Sequence, residues 1–219
     1  MKKFALIVAA LIGISQLMAQ GSLGKSDPEA KKVLDKVSAK FKSYKAVQAS
    51  FVLSVEDSKG KIQGSKKGTV FMKGSKYRVS ITGQEIFCDG KNVWTLDKAA
   101  NEVTITQLDE SGSGITPQKL FTDFYDKDFL YKLNGQKQVA GKTIQEIELT
   151  PVDKTRNFFK VYVQVDKKTQ SIYSTRVLDK SGNVYVYTIS SLKGNAPLND
   201  SVFVFDKSKY PGVEEIDLR

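Results

Sequence analysis

Hydrophobic positions along this chain follow two periods, and the change between them near residue 45 predicts the architecture. Ala30, Val33, Leu34, Val37 and Phe41 recur at i, i+3, i+4, i+7 and i+11, while Lys31, Lys32, Lys36 and Lys40 fall off that stripe. Asp27-Pro28-Glu29 supplies an N-cap, a first-turn proline and an acidic residue favourable to the helix dipole. Together they predict one amphipathic helix of about four turns, ending near Ser43-Tyr44.

Beyond it the period is 2. Ala49, Phe51, Leu53 and Val55 alternate with Ser50, Val52 and Ser54; Tyr77, Val79 and Ile81 with Arg78 and Ser80; Val161, Val163 and Val165 with Tyr162 and Gln164. Turn signals at Ser58-Lys59-Gly60, Lys73-Gly74-Ser75, Thr82-Gly83, Asp89-Gly90 and Lys180-Ser181-Gly182-Asn183 are closely spaced, so sequential strands should pair antiparallel. Further strands are expected near 62–72, 84–88, 92–97, 101–108, 143–150, 170–178, 184–191 and 202–205, about ten or eleven in all. Between Glu110 and Val139 the alternation fails. There Ser111-Gly112-Ser113-Gly114 is followed by Thr116-Pro117, and Leu120, Phe121, Phe124, Tyr125, Phe129 and Leu130 recur at helix-like spacing, which predicts a short aromatic-rich helical insert.

A sheet of that many strands must close, split or curl to manage its edges. With both helices on the concave side, the expected fold class is mainly β with α lids (α+β), an unclosed antiparallel barrel. A filled core and a cavity both require inward apolar residues, so periodicity leaves the two open.

The first residues change the picture of where the protein works. Lys2 and Lys3 precede an apolar run from Phe4 to Ile14, followed by Ser15-Gln16-Leu17-Met18-Ala19. This reads as a signal peptide over residues 1–19, cut between 19 and 21, leaving 20–219 as one domain. The run is well short of the ~20 apolar residues that span a bilayer. No cysteine lies beside it, so the expectation is an exported, periplasmic monomer that is not itself lipid-anchored.

Composition narrows the chemistry. The chain has one cysteine and no histidine, which excludes an intrachain disulfide, every Ser-His or Cys-His catalytic arrangement and the commonest metal ligand. A formal charge of +10 favours polyanions, and in the envelope these are lipid headgroups, other proteins or polysaccharide, with no nucleic-acid motif present. Lys59, Lys61, Lys66, Lys67, Lys73, Lys76 and Arg78 form either solvated turns and outer strand faces or a docking surface. Glu146 and Glu148, at i and i+2, share a strand face in the pattern of a glycosidase pair, yet the same pattern is common on solvated strands. Asp123, Asp126 and Asp128 lack the spacing and glycine of an EF-hand, and Cys88 has no partner to activate it. No catalytic residue, metal or cofactor is expected, and the protein is not read as an enzyme.

A set of segments then falls in a familiar order: Ala49-Ser50-Phe51, Gly68-Thr69-Val70-Phe71-Met72-Lys73, Cys88-Asp89-Gly90-Lys91-Asn92-Val93-Trp94, Thr116-Pro117, Glu148-Leu149-Thr150-Pro151, Val202-Phe203-Val204-Phe205 and Pro211-Gly212-Val213. In that order, across essentially the whole mature chain, the sequence resembles the outer-membrane lipoprotein carrier proteins (LolA-like). The resemblance implies an unclosed barrel with an apolar concave face lidded by helices. It implies a periplasmic chaperone that takes lipoprotein acyl chains from an inner-membrane releasing transporter to the outer membrane, where an acceptor would receive them. A carrier or sensor domain of the same fold for another hydrophobic or lipidated ligand is the alternative. Members of the family often carry Arg followed by Pro in the turn that here reads Lys73-Gly74-Ser75, and that Arg holds the lid closed. On this reading Phe51, Leu53, Val70, Tyr77, Val79, Ile86, Trp94, Leu96 and Ile105 supply the concave acyl-binding face, and Leu34, Val37, Phe41, Leu120 and Phe121 supply its lid.

Overall fold

A computed structural model of the chain describes residues 26–109 and 125–219. Residues 1–25, with the stretch read as a signal peptide, and residues 110–124, with most of the stretch read as a helical insert and with Leu120 and Phe121, lie outside the described residues.

The N-terminal helix α1 spans Pro28–Lys42, as its caps require. Asp27 Oδ1 accepts from the Glu29 backbone N–H at 2.8 Å, and Ser43 closes the other end by donating its backbone N–H to Ala39 and Lys40. Asp27 also fixes where the helix sits. Its Oδ2 accepts from the Leu133 N–H at 3.0 Å and its own N–H donates to the Tyr131 carbonyl at 2.9 Å. The Leu133 and Glu29 amides together hold its carboxyl below the usual range. Ala30, Leu34 and Val37 are thereby buried against the sheet.

Among the described residues twelve strands follow: β1 (Val47–Glu56), β2 (Ile62–Lys73), β3 (Lys76–Ile81), β4 (Gln84–Cys88), β5 (Asn92–Asp97), β6 (Glu102–Gln107), then the single turn α2 (Tyr125–Asp128), β7 (Phe129–Val139), β8 (Lys142–Pro151), β9 (Phe158–Asp166), β10 (Ser171–Asp179), β11 (Val184–Gly194) and β12 (Glu214–Asp217). They form one sheet in the order β12-β6-β5-β4-β3-β2-β1-β11-β10-β9-β8-β7. β1 to β6 are one meander and β7 to β11 another; the two meet at the antiparallel pairing of β1 with β11. β7 and β12 are the two free edges, so the sheet is curled but not closed.

Three elements differ from expectation. Residues 202–205 are not a strand; Asp200–Phe203 is a 3-10 turn with Phe203 fully buried. β12 pairs parallel to β6, because the chain returns along the outer surface rather than by a hairpin. β7 occupies part of the stretch read as helical: Phe129, Tyr131 and Leu133 alternate inward, and the register shifts at Asn134-Gly135, a bulge within the strand.

Both faces of the sheet carry apolar side chains, and each has its own cover. The inner face packs beneath α1 in a core that includes Val47, Ala49, Met72, Ile147, Leu149 and Val163. The outer face of β3–β6 is covered by the C-terminal segment, a strap from Ala196 onward. Leu96 and Val103 pack against Val213, with Trp94, Phe205 and Tyr210 around them. Phe205 stacks on Tyr210 at 5.0 Å and meets Phe87 edge-on at 5.8 Å. Asp200 ties the strap to the β2–β3 hairpin through Lys73 Nζ at 2.8 Å and Lys76 Nζ at 2.6 Å.

On the inner face Gly68 has a specific use. A Cβ there would run into the Phe51 ring, which lies over β2 and tilts against Tyr187 at 6.1 Å. Gly68→Ala should therefore lower stability by about 1–3 kcal/mol in urea denaturation, and less than additively when combined with Phe51→Ala. A second expectation concerns the strap. Lys73, then Lys76, hold the exposed Asp200 carboxyl at about 2 rather than 3.8. A group depressed in this way favours the attached state above its unattached pKa, and the preference disappears as pH falls through the attached value. NMR titration should place the Asp200 midpoint near 2 in the wild type and closer to 3.8 when both lysines are changed to Ala.

Candidate functional site

Strand register sorts the inner face into rows. Ile86, Val79, Val70 and Ala49 are successive partners across β4, β3, β2 and β1. Ile81, Gly68, Phe51 and Ile189 form the next row, and Leu53 sits opposite Tyr187 in the row beyond. Since directly opposed residues share a face, these side chains make one continuous apolar surface.

Its burial is uneven. Where α1 lies on the sheet the packing is tight, and the gap bounded by Val37, Phe41, Tyr44, Ile172 and Leu192 is only about 10 Å³. Phe51, Val70 and Tyr77 are buried, whereas Leu53, Val79, Ile81, Ile86, Val93, Tyr187 and Ile189 are half-buried. The half-buried set lies on β11 and β1–β5, while the strands α1 packs on are β7 and β10. An apolar strip therefore continues past the edge of the helix. Such a strip can take an alkyl chain out of water, at about 0.8 kcal/mol per methylene, without covalent chemistry.

Six of the nine residues expected on this face are on it: Phe51, Leu53, Val70, Tyr77, Val79 and Ile86. Trp94, Leu96 and Ile105 are not. Ile86 pairs with Thr95 and Cys88 with Val93, so Trp94 and Leu96 point outward. Ile105 is opposite Trp94 and goes with them. The physical reason is parity: the Asp89–Lys91 turn, in which Asp89 Oδ1 accepts from the Lys91 and Asn92 amides at 2.8 Å, resets which residues of β5 face in. Val93 takes the inward place. Ile81, Tyr187 and Ile189 also belong to the strip, and counting alternate positions along β3 and β11 would have found them. Of the lid residues, Leu34 and Val37 are buried against the sheet and Phe41 is half-buried beside them.

Three titratable groups on the inner face, Tyr77, Cys88 and Tyr187, are held neutral. Burial first, then the neighbouring Cys88, pushes Tyr77 up to about 12. Burial likewise raises the Cys88 thiol, whose S–H donates to the Ser75 carbonyl at 3.8 Å, and the Tyr187 phenol. An apolar ligand meets no charge from these three.

The carboxylate candidates are elsewhere. Glu146 and Glu148 project from the outer face, opposite Gln164 and Tyr162. Partial burial would raise Glu146, but the Gln164 amide at 2.9 Å and Lys137 at 3.3 Å outweigh it and lower it. Burial of Glu148 is likewise outweighed, by Lys160 at 2.8 Å and Asn134. A general acid needs the opposite shift. Asp126 turns to Lys31 at 3.5 Å and Asp128 to Arg156 at 3.4 Å, so the two do not converge; Asp123 lies outside the described residues. Among the described residues no three His, Cys, Asp or Glu side chains come together to hold a metal, and no helix is long and apolar enough to cross a membrane. Lys73, in the turn where the resemblance implies a lid-holding Arg, serves the outer strap through Asp200.

Comparison with known proteins places this geometry. A family model described as outer membrane lipoprotein carrier protein LolA matches residues 42–206. No curated protein matches the sequence significantly. Among solved structures, an uncharacterized conserved protein from Thermus thermophilus superposes with a TM-score of 0.57 at 13% identity, covering 86% of this chain and 99% of its own. A LolA superfamily protein from Nitrosomonas europaea gives 0.43 at 17% identity over 81% and 98%, and a DUF1329 family protein from Desulfovibrio piger gives 0.46 at 15% over 84% and 100%. At these identities the first speaks for the fold alone. The family match, which spans most of the described strands, is the one that classifies the sequence, and by it this chain belongs to the LolA family of outer membrane lipoprotein carrier proteins.

Proposed function

We propose that this protein is a periplasmic carrier that holds the acyl chains of lipoproteins on its inner face and takes them from the inner to the outer membrane. The observation that carries this reading is the strip of half-buried apolar side chains, centred on Leu53, Val79, Ile81 and Ile86, on the inner face of an unclosed sheet. A lipid chain needs contact area and exclusion of water, and an open-edged sheet supplies both without enclosing the rest of a bulky cargo. An inner-membrane releasing transporter would load such a carrier and an outer-membrane acceptor would unload it, with the protein acting as a monomer.

The packed state of α1 fits reversible loading. Its contacts with the sheet bury Leu34 and Val37 and leave Phe41 half-covered, so an acyl chain seated on the strip would extend the apolar core rather than replace it. An exposed strip of this kind also favours self-association when empty, and a partial cover limits that cost.

Mutation separates carriage from catalysis. Leu53→Asp or Val79→Asp places an unpaired carboxylate on the strip, and binding of a fluorescent acyl probe should weaken at least about tenfold. Release of lipoprotein from spheroplasts should fall with it. Glu146→Ala combined with Glu148→Ala should leave both near wild type. Loss in the glutamate double variant with an unaffected Leu53→Asp protein would overturn the carrier reading in favour of an enzyme; failure of the wild type to bind the probe would favour a filled core.

A further inference from the structure

A depression lies on the opposite side of the sheet from the apolar strip. It has a volume of about 580 Å³ and lies over β11, β1, β2 and β3. Register explains its chemistry. Ser50 is paired with Thr69, and Thr69 with Ser80, so three hydroxyls stand in one outward row across adjacent strands. At strand spacing that row spans about 10 Å. The row continues on β11, where the register shifts opposite Ser50/Phe51 and leaves Ser190 as an extra residue that lines the depression. Bulges of this kind re-aim a side chain. Thr82 and Lys67 complete the polar wall, and Val52, opposite Lys67 in register, adds an apolar side chain to the lining.

These groups are available. Among the described residues none of the hydroxyls of Ser50, Thr69, Ser80, Thr82 and Ser190 has a protein hydrogen-bond partner, and Lys67 has no carboxylate within ion-pair distance. The acidic group nearest in register is not available: Glu85, opposite Ser80, is buried and held between Lys98 Nζ at 2.6 Å and Arg78 Nη2 at 2.6 Å. Lys98 thus stands at the far wall with its charge already countered, while Lys67 supplies a free positive charge. No aromatic ring from the outer face lines the floor, since Phe51 turns its ring inward over Gly68. A base or a bare sugar ring would have nothing to stack on.

We propose that this depression is a binding site for a phosphorylated polyol, with the phosphate on Lys67 and the polyol hydroxyls exchanging hydrogen bonds with the Ser50–Thr69–Ser80 row and Ser190. Hydroxyl side chains donate and accept, which matches hydroxyls on the ligand, and an ammonium with no competing carboxylate suits the phosphate. The ligand is either a soluble sugar phosphate or the phosphoglycerol headgroup of a lipid. This site is independent of acyl binding, because it uses the other face of the same strands.

Glucose 6-phosphate and glycerol 3-phosphate, titrated separately into the full mature chain and followed by amide NMR, test it. Saturable shifts should concentrate at Ser50, Gly68, Thr69, Ser80 and Ser190. Lys67→Gln should weaken the affinity about tenfold, and Thr69→Val, which keeps the shape and removes the hydroxyl, should weaken it severalfold. Inorganic phosphate should bind more weakly than either. Phosphatidylglycerol vesicles distinguish the source: sedimentation of the wild type and not of Lys67→Gln assigns the headgroup, and no sedimentation assigns the soluble compound. Shifts that do not saturate, that spread over all surface lysines, that inorganic phosphate reproduces at equal affinity, or that survive both substitutions would overturn the proposal. Acyl-probe binding by Lys67→Gln and Thr69→Val should be unchanged, so failure here is distinguishable from failure of the carrier reading.

Discussion

The pairing of β1 with β11 is the constraint on which the rest of this structure depends. Each half of the sheet is a meander built from neighbours in sequence, and each could form by local hairpins. Among the described strands the antiparallel ladder from Val47–Gly194 to Glu56–Val184 is what joins them. It brings together segments more than a hundred residues apart, at a loop-closure cost that local pairs do not carry. What repays it is burial on both sides of the ladder: Ala49 and Leu192, Phe51 and Ile189, Leu53 and Tyr187 face one another on the inner surface. Without that ladder, α1 and the second meander would be separated from β1–β6, and the apolar strip, which runs from β11 across β1 to β5, would be cut in two.

Twelve strands in one curled sheet create two surfaces that must be managed, and the chain treats them differently. Among the described residues the inner surface is covered by a helix at one side, and its apolar side chains at the other are half-buried. The outer surface of β3–β6 is covered by a strap with little regular structure, pinned by one carboxylate between two lysines and by a small aromatic cluster. The remaining outer surface is polar: a chain from Ser174 through Gln164 to Glu146 and Lys137 runs across β10, β9, β8 and β7. The sheet thus offers different chemistry on its two sides, apolar within and polar outside wherever the strap does not reach.

Asp27 shows how few groups hold the helix in place. One carboxylate caps α1 with one oxygen and satisfies an edge amide of β7 with the other, while its own N–H satisfies an edge carbonyl. The helix is thereby fixed at the free edge, and the same contacts blunt part of a strand that would otherwise invite pairing. Tyr125, at the return from the insert, donates its hydroxyl to Asp35 of the helix at 2.8 Å. Among the described residues the cover is anchored along the β7 side, through Asp27 and Tyr125.

Much of this was legible in the amino-acid order, and the divide has a physical basis. Asp27-Pro28 and the 3.6-residue stripe determine α1 to within a residue or two, because caps and amphipathicity are local. Turn residues and period-2 runs determine nearly every strand of the two meanders for the same reason, and the absence of histidine removes whole classes of chemistry outright. Tertiary structure decided the rest. Alternation says that Trp94 and Leu96 share a face but not which face, and the turn at Asp89 sends them outward; Phe129 and Leu130 fall in a run of helix-like spacing, yet they belong to β7 because β8 is there to pair with it. β12 is four residues with no hairpin partner, and exists only because the strap brings it alongside β6. Local sequence sets the conformation of a segment through its own dihedrals and caps, whereas the face it presents and the surface that covers it depend on partners far away in the chain.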